Sequence, residues 1–174
     1  VQAVVSRDDE AQEAFEFSLG FDGAESLSKK AVDTAVSKLG ASVIPSGKYD
    51  VIIDGRQMRS MLSAFSSAFS GKNALLGLSL LAGKEGERVA AECVTLVDDP
   101  LGQNNPVPTP FDGEGVATFE KNVIENGVLK TLLYDIATAH KADKTTTATG
   151  QRGSYSSQVH IEPFCFYIKG GELT

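Results

Sequence analysis

The chain has 174 residues, enough for one substantial domain or one domain and part of another. Its 41% hydrophobic content, 17 glycines and 22% charged residues are those of a packed globular protein. A formal net charge of -7, with no Lys/Arg run longer than two, argues against a surface that grips nucleic-acid phosphates.

No apolar run approaches the roughly 20 residues that cross a bilayer, so no membrane span is expected. The longest, Ala74 to Ala82, is broken by Gly77 and Ser79. The chain opens on the strand-like Val1 to Val5 without an initiator Met or a signal-peptide layout, and it reads as a segment of a longer protein. Two cysteines, Cys93 and Cys165, give no disulfide framework, and a cytoplasmic location is expected.

Val1 to Arg7 and Gln12 to Phe21 predict a hairpin across the polar turn Asp8-Asp9-Glu10. Phe15, Phe17, Leu19 and Phe21 alternate with polar residues and are expected on its buried face. A helix follows over Ser26 to Leu39, with the stripe Leu27, Ala31, Val32, Ala35, Val36 and Leu39 and a stop at Gly40. Tyr49 to Ile53 reads as a short strand, and Arg56 to Ser70 as a second helix. Met58, Met61, Leu62, Phe65 and Phe69 have helical spacing there, and Ser60, Ser63, Ala64, Ser67 and Ser70 form a face of small side chains.

Gly77 to Glu92 is expected to be loop with short strand segments, and Cys93 to Val97 a strand. Ala117 to Ile136 reads as a hairpin turning at Asn126-Gly127, a type I′ signal. Ile136 to Ala142 predicts a short helix, Thr145 to Ser157 a polar loop, and Val159 to Lys169 a last strand. Hairpins mixed with two or three packed helices imply an α+β fold with a mainly antiparallel sheet.

The densest chemistry lies in Leu96 to Val116, where four acids, three glycines and four prolines sit between two strand-like runs. Asp98, Asp99, Asp112 and Glu114 are oxygen donors suited to a hard cation, yet no EF-hand spacing is present. Turn chemistry or recognition of a partner's backbone are the other readings. His140, His160, Cys93 and Cys165 have no metal-ligand spacing, and His160 and Cys165 would point to opposite faces of one strand. No nucleophile motif occurs, and Cys93 is expected to be an inert thiol in a buried strand. Gly83-Lys84-Glu85-Gly86-Glu87 lacks P-loop spacing, and its two acids would repel an anion.

Five segments in order carry a resemblance. They are Gly77-Leu78-Ser79, Gly83 to Val89, Val94 to Pro100, Phe111-Asp112-Gly113-Glu114-Gly115-Val116 and Glu125 to Leu129, with Thr149-Gly150 before the last strand. Together they resemble the TldD/PmbA family, also called modulators of DNA gyrase or TldD/TldE peptidases. The resemblance implies that residues 1 to about 45 end the family's middle region and 46–174 form most of its C-terminal region. It also implies a cytosolic metallopeptidase of two subunit kinds, acting on peptides or unfolded polypeptides.

TldD-type chains carry HExxxH on a helix, supplying zinc ligands and a catalytic glutamate. Counted back from Gly77-Leu78-Ser79, that motif falls on Leu62 to Ser67, where Leu62 and Ser67 replace the histidines and Ser63 the glutamate. None is a credible zinc ligand or general base. The resemblance therefore implies a PmbA/TldE-type subunit, with no catalytic residue and no cofactor of its own. Zinc would belong to a TldD-type partner, and a homo-oligomer of the isolated chain stays open. Asp98, Asp99, Phe111, Asp112, Glu114, Thr149 and Arg152 are the expected substrate- or partner-binding residues. The alternatives are a divalent-cation enzyme built on the acidic loops and a protein-binding modulator of DNA gyrase.

Overall fold

A computed structural model describes residues 1–18, 23–102, 105 and 107–171. It divides into two compact units, Val1–Val51 and Ile52–Thr174. Leu19 and Phe21 of the expected second strand lie outside the described residues.

In the first unit, β1 (Gln2–Arg7) pairs antiparallel with β2 (Glu10–Phe15), and α1 (Ala24–Ser37) packs on both. β2 is shorter than expected, and its burial has the opposite phase. Ala14 and Glu16 are buried, whereas Phe15 and Phe17 are 61% and 59% exposed with their rings stacked 6.0 Å apart. The buried residues of α1 are Ala31 and Ala35. An alanine-lined contact brings helix and hairpin too close together for phenylalanines between them. Alternation fixes the period of a strand but not which phase faces inward. Helix α1 ends at Ser37, and Gly40 follows at φ +77° with its N–H donating to both Glu10 carboxylate oxygens at 3.1 and 2.9 Å.

The strand expected over Tyr49 to Ile53, where the two units meet in sequence, is not formed. That stretch is irregular, and the Val51 and Ile52 side chains are exposed. Asp54 caps α2 (Gly55–Phe65) by accepting the Arg56 N–H at 2.9 Å. The helix expected to reach Ser70 stops early. Ser66–Phe69 is a 3₁₀ turn, Ser70 is extended, and α3 (Gly71–Leu75) begins after it. The break comes from a distant partner, because Leu133 bridges this point. Its N–H donates to the Phe69 carbonyl and its carbonyl accepts the Gly71 N–H, both at 2.8 Å. A Cβ at residue 71 would collide with the Tyr134 ring, so glycine is required there.

The main sheet has the order β5-β4-β3-β8, antiparallel throughout, from β3 (Leu96–Asp98), β4 (Lys121–Glu125), β5 (Val128–Leu129) and β8 (Phe166–Ile168). Asn126 and Gly127 turn β4 into β5 with positive φ at both residues, as the sequence predicts. Helix α4 (Ile136–Ala142) has the predicted bounds and is capped by Asp135, which accepts the Thr138 N–H at 2.6 Å. β6 (Gly150–Gln151) and β7 (His160–Ile161) form a separate antiparallel pair. Leu96, Val123, Leu129, Leu132 and Leu133 are fully or almost fully buried, and Phe69, Tyr134 and Ala139 complete the core.

Three further expectations are corrected. Cys93 lies in an exposed turn before the strand, not within it. The last strand is split, because the Phe164 and Cys165 N–H groups donate to the Asp98 carboxylate instead of a ladder. Gly77 to Glu92 is a series of turns whose strand character is limited to one bridge, Arg88 to Val128. The architecture is α+β. No helix among the described residues is long and apolar enough to cross a membrane.

Candidate functional site

The acids of the Leu96–Val116 stretch separate into two sets of contacts, and both are turned inward. Asp98, at the end of β3, is fully buried. One of its carboxylate oxygens faces the Lys121 ammonium at 3.0 Å, and the other accepts the Phe164 and Cys165 N–H groups at 2.9 and 2.8 Å. Lys121 is itself buried and lies 4.8 Å from the centre of the Phe119 ring. Asp99 accepts the Leu101 and Gly102 N–H groups at 3.2 and 2.8 Å, a local turn. Burial, with the nearby Asp98 and Asp99 charges, pushes the half-buried Cys165 thiol up, which disfavours the thiolate.

The second set clasps two loops. Asp112 accepts the Glu114 and Val116 N–H groups on one oxygen, both at 2.9 Å, and the Gly150 N–H on the other at 3.2 Å. Glu114 accepts the Ile136 N–H at the start of α4 at 2.8 Å, where the helix dipole favours a carboxylate. The Arg152 guanidinium donates to the Gly113 carbonyl at 3.1 Å and to the Ser157 carbonyl at 3.3 Å. Thr149 is fully buried beneath this clasp, its hydroxyl 2.8 Å from that of Thr147 and 3.3 Å from the Tyr134 carbonyl. Asp112, Glu114, Thr149 and Arg152 are thus brought together, while Asp98 and Asp99 serve β8 and a neighbouring turn. Phe111 stands at the clasp with its ring 59% exposed.

A third cluster has no counterpart in the sequence reading. Glu85, from the turn dismissed as a phosphate loop, accepts the Leu132 N–H at 2.8 Å, the Tyr134 hydroxyl at 3.1 Å and the Lys144 ammonium at 2.7 Å. Burial alone pushes the Glu85 carboxyl up. The hydrogen bonds from Lys144, Leu132 and Tyr134, with the Lys144 charge, outweigh burial and hold it below the usual carboxylate value. Burial and the Glu85 carboxylate push the Tyr134 hydroxyl up to about 12. The only signal for this cluster in the sequence is an acid between two glycines, which carries no information about residues 132 to 144.

The remaining candidates lie apart. His140 is exposed in the last turn of α4, and His160 is exposed 3.2 Å from Glu162. His160 and Cys165 do not share a strand. On α2, Leu62 is half-buried against the core and Ser63 is exposed, and Ser67 is exposed in the 3₁₀ turn that follows.

A model of the PmbA/TldA metallopeptidase C-terminal domain matches residues 46–174. The chain belongs to the PmbA/TldD metallopeptidase family. Among relatives of the family, it is 36% identical over 146 residues to an uncharacterized protein of Methanocaldococcus jannaschii, covering 83% of this chain and 35% of that protein. It is 33% identical to a metalloprotease of Methanothermobacter thermautotrophicus, over 86% of this chain and 33% of that protein. The fold is similar to that of a modulator of a DNA gyrase from Thermotoga maritima, with a TM-score of 0.87 and 34% identity over 98% of this chain and 39% of that one. It is also similar to TldE from Thermococcus kodakarensis, with a TM-score of 0.79 and 27% identity over 97% of this chain and 39% of that one. The chain spans about a third of the length of these curated relatives.

Membership of a metallopeptidase family raises zinc. The residues of α2 and the 3₁₀ turn after it do not fit it: Leu62 offers hydrocarbon, and Ser63 and Ser67 offer neutral hydroxyls to solvent, where zinc takes thiolate, imidazole or carboxylate. Among the described residues, no group of three His, Cys, Asp or Glu side chains is gathered in a way that could hold a metal ion.

Proposed function

We propose that this chain acts as a PmbA/TldE-type subunit of a cytosolic, heteromeric metallopeptidase that degrades peptides or unfolded polypeptides, with zinc held by a TldD-type partner. The observation that carries this reading is α2 itself. The helix is formed and capped, yet Leu62 and Ser63 on it, and Ser67 in the 3₁₀ turn that continues it, leave the segment without a zinc ligand or general base. The likeness to TldE from Thermococcus kodakarensis supports the same assignment. Exposed Ser63 on α2 and Ser67 in the 3₁₀ turn after it make a low surface that another subunit's backbone can approach closely. In this role Phe111 and the clasp of Asp112, Glu114, Thr149 and Arg152 form a rigid edge that positions substrate or partner. Asp98 braces the sheet between Lys121 and the approach to β8, and Asp99 holds the turn after β3.

The acidic-loop enzyme is the weaker reading, because Asp98 and Asp112 already accept three hydrogen bonds each from the chain itself. The deciding experiment co-expresses the chain with a TldD-type subunit from the same host. Zinc and peptidase activity are expected only when the HExxxH-bearing partner is present. Stoichiometric zinc retained by the chelator-washed chain alone would overturn the proposal.

A further inference from the structure

Between α3 and α4 lies a half-open cleft of about 370 Å³, lined by both helices, the turn at Ala82 to Glu85, and Leu132 and Tyr134. Its volume is at the low end of the roughly 300–1,000 Å³ typical of small-molecule sites. Two kinds of surface meet in it. Ala74, Leu75, Ala82 and Ala142 supply apolar lining, and Tyr134 and Lys144 converge on Glu85.

The polar side is ordered and only partly used. One Glu85 oxygen is occupied by the Leu132 N–H and the Tyr134 hydroxyl, and the other accepts the Lys144 ammonium. That second oxygen keeps a free lone pair, and Lys144 keeps further N–H donors in a side chain that is 49% exposed. The cleft therefore presents a carboxylate and an ammonium side by side, with no net charge between them and the carboxylate held by Leu132 and Tyr134. Glu85 is ionised and Tyr134 remains a donor at neutral pH, because the first is held below its ordinary value and the second well above.

We propose that this cleft binds a free α-amino acid with an aliphatic side chain. The ligand's ammonium donates to the open Glu85 oxygen, and its carboxylate accepts from Lys144, closing a ring of four alternating charges. Its side chain lies against Ala74, Leu75 and Ala82. A carboxylic acid without the amine meets the Glu85 charge uncompensated, and an amine without the carboxylate meets Lys144. Unpaired charge in a half-buried site is costly, so the pair discriminates against both. The inference does not depend on whether α2 pairs with a zinc-bearing subunit.

The test titrates the full 174-residue chain with L-leucine, isoamylamine and isocaproate, by calorimetry and ligand-observed NMR. Leucine is expected to saturate one site, with the two truncated analogues at least about tenfold weaker. Ala82 is exposed at the cleft and contributes nothing to the core, so Ala82→Phe fills the site with the melting temperature unchanged and should abolish leucine binding. Lys144→Met should lose leucine and take isoamylamine at least as well as the wild type does. No saturable leucine binding overturns the proposal. Analogues that bind as tightly as leucine, or wild-type affinity in folded Ala82→Phe, overturn it equally.

Discussion

The Glu114 carboxylate accepts the Ile136 N–H at 2.8 Å, so an acid 22 residues upstream in the chain closes the first turn of α4. Its neighbour Asp112 does the same for Gly150, and both acids belong to the Phe111–Gly115 loop. These acids are connectors: each spends its charge on backbone N–H groups from another part of the chain.

Asp112→Ala follows directly from that geometry. Asp112 is buried, and its loss leaves the Glu114, Val116 and Gly150 N–H groups without acceptors. A buried donor left unpaired costs about 1–3 kcal/mol, and relaxation recovers part, so a total loss of about 2–4 kcal/mol is expected. Asp112→Asn keeps one acceptor oxygen and should cost less than half as much. Urea unfolding of the three proteins measures the difference, and an Asp112→Ala midpoint equal to wild type would remove the clasp from the account.

The Asp98–Lys121 pair makes an asymmetric prediction. Asp98→Ala strands a buried ammonium that is left with the Phe119 ring, and it also orphans the Phe164 and Cys165 N–H groups. Breaking a buried pair in this way costs about 3–5 kcal/mol. Lys121→Met leaves Asp98 still holding two backbone donors and should cost less. The double variant should be more stable than the two losses added together, because the stranded charge is gone. A double-mutant cycle in urea reads all three, and strict additivity would show that the pair is not coupled.

Much of this architecture is legible locally and much is not, for one physical reason. Helix α4 has its predicted bounds, and the Asn126-Gly127 turn is where the sequence places it, because capping and positive φ are decided within a few residues. The resemblance carried by five short segments is legible for the same reason, and the family match agrees with it. Phe15 and Phe17 were assigned to the wrong face because the phase of a strand is set by what packs on it, here the alanines of α1. The break at Ser70 depends on Leu133. Glu85 was set aside because its partners Leu132 and Tyr134 lie 47 and 49 residues further on. For the acids of Asp98 to Gly115, the sequence shows that they cluster but not what their oxygens accept.

The Glu85 cluster predicts how stability changes at both ends of the pH range. Glu85 is held below its ordinary value of 4.5, so its contribution is present above pH 4.5 and is lost as pH falls through the lower folded value. Tyr134 is raised from 10.0 to about 12, so the protonated hydroxyl is favoured by folding. Its contribution is intact below pH 10 and is lost as pH rises towards about 12. Tyr134→Phe should therefore flatten the alkaline loss and weaken the acid one. Urea midpoints across the two windows, with an ultraviolet titration of tyrosinate, check the sign. An alkaline profile unchanged in Tyr134→Phe would assign the loss to other groups.

The last prediction concerns the helix that carries the proposed function. Helix α2 has no buried residue, and Ser63 on it and Ser67 in the 3₁₀ turn after it are exposed, so Ser63→Leu and Ser67→Leu should leave the stability of the isolated chain within about 0.5 kcal/mol of wild type. If the small side chains exist to admit a second subunit, the same substitutions raise the surface where that subunit must approach. Assembly with a TldD-type partner should then fall, and the peptidase activity of the pair with it, while zinc content of the partner stays constant. Size-exclusion chromatography of the mixed subunits and peptide hydrolysis by the pair separate the two effects. Variants that assemble and hydrolyse like wild type would show that the smooth face of α2 is surface alone.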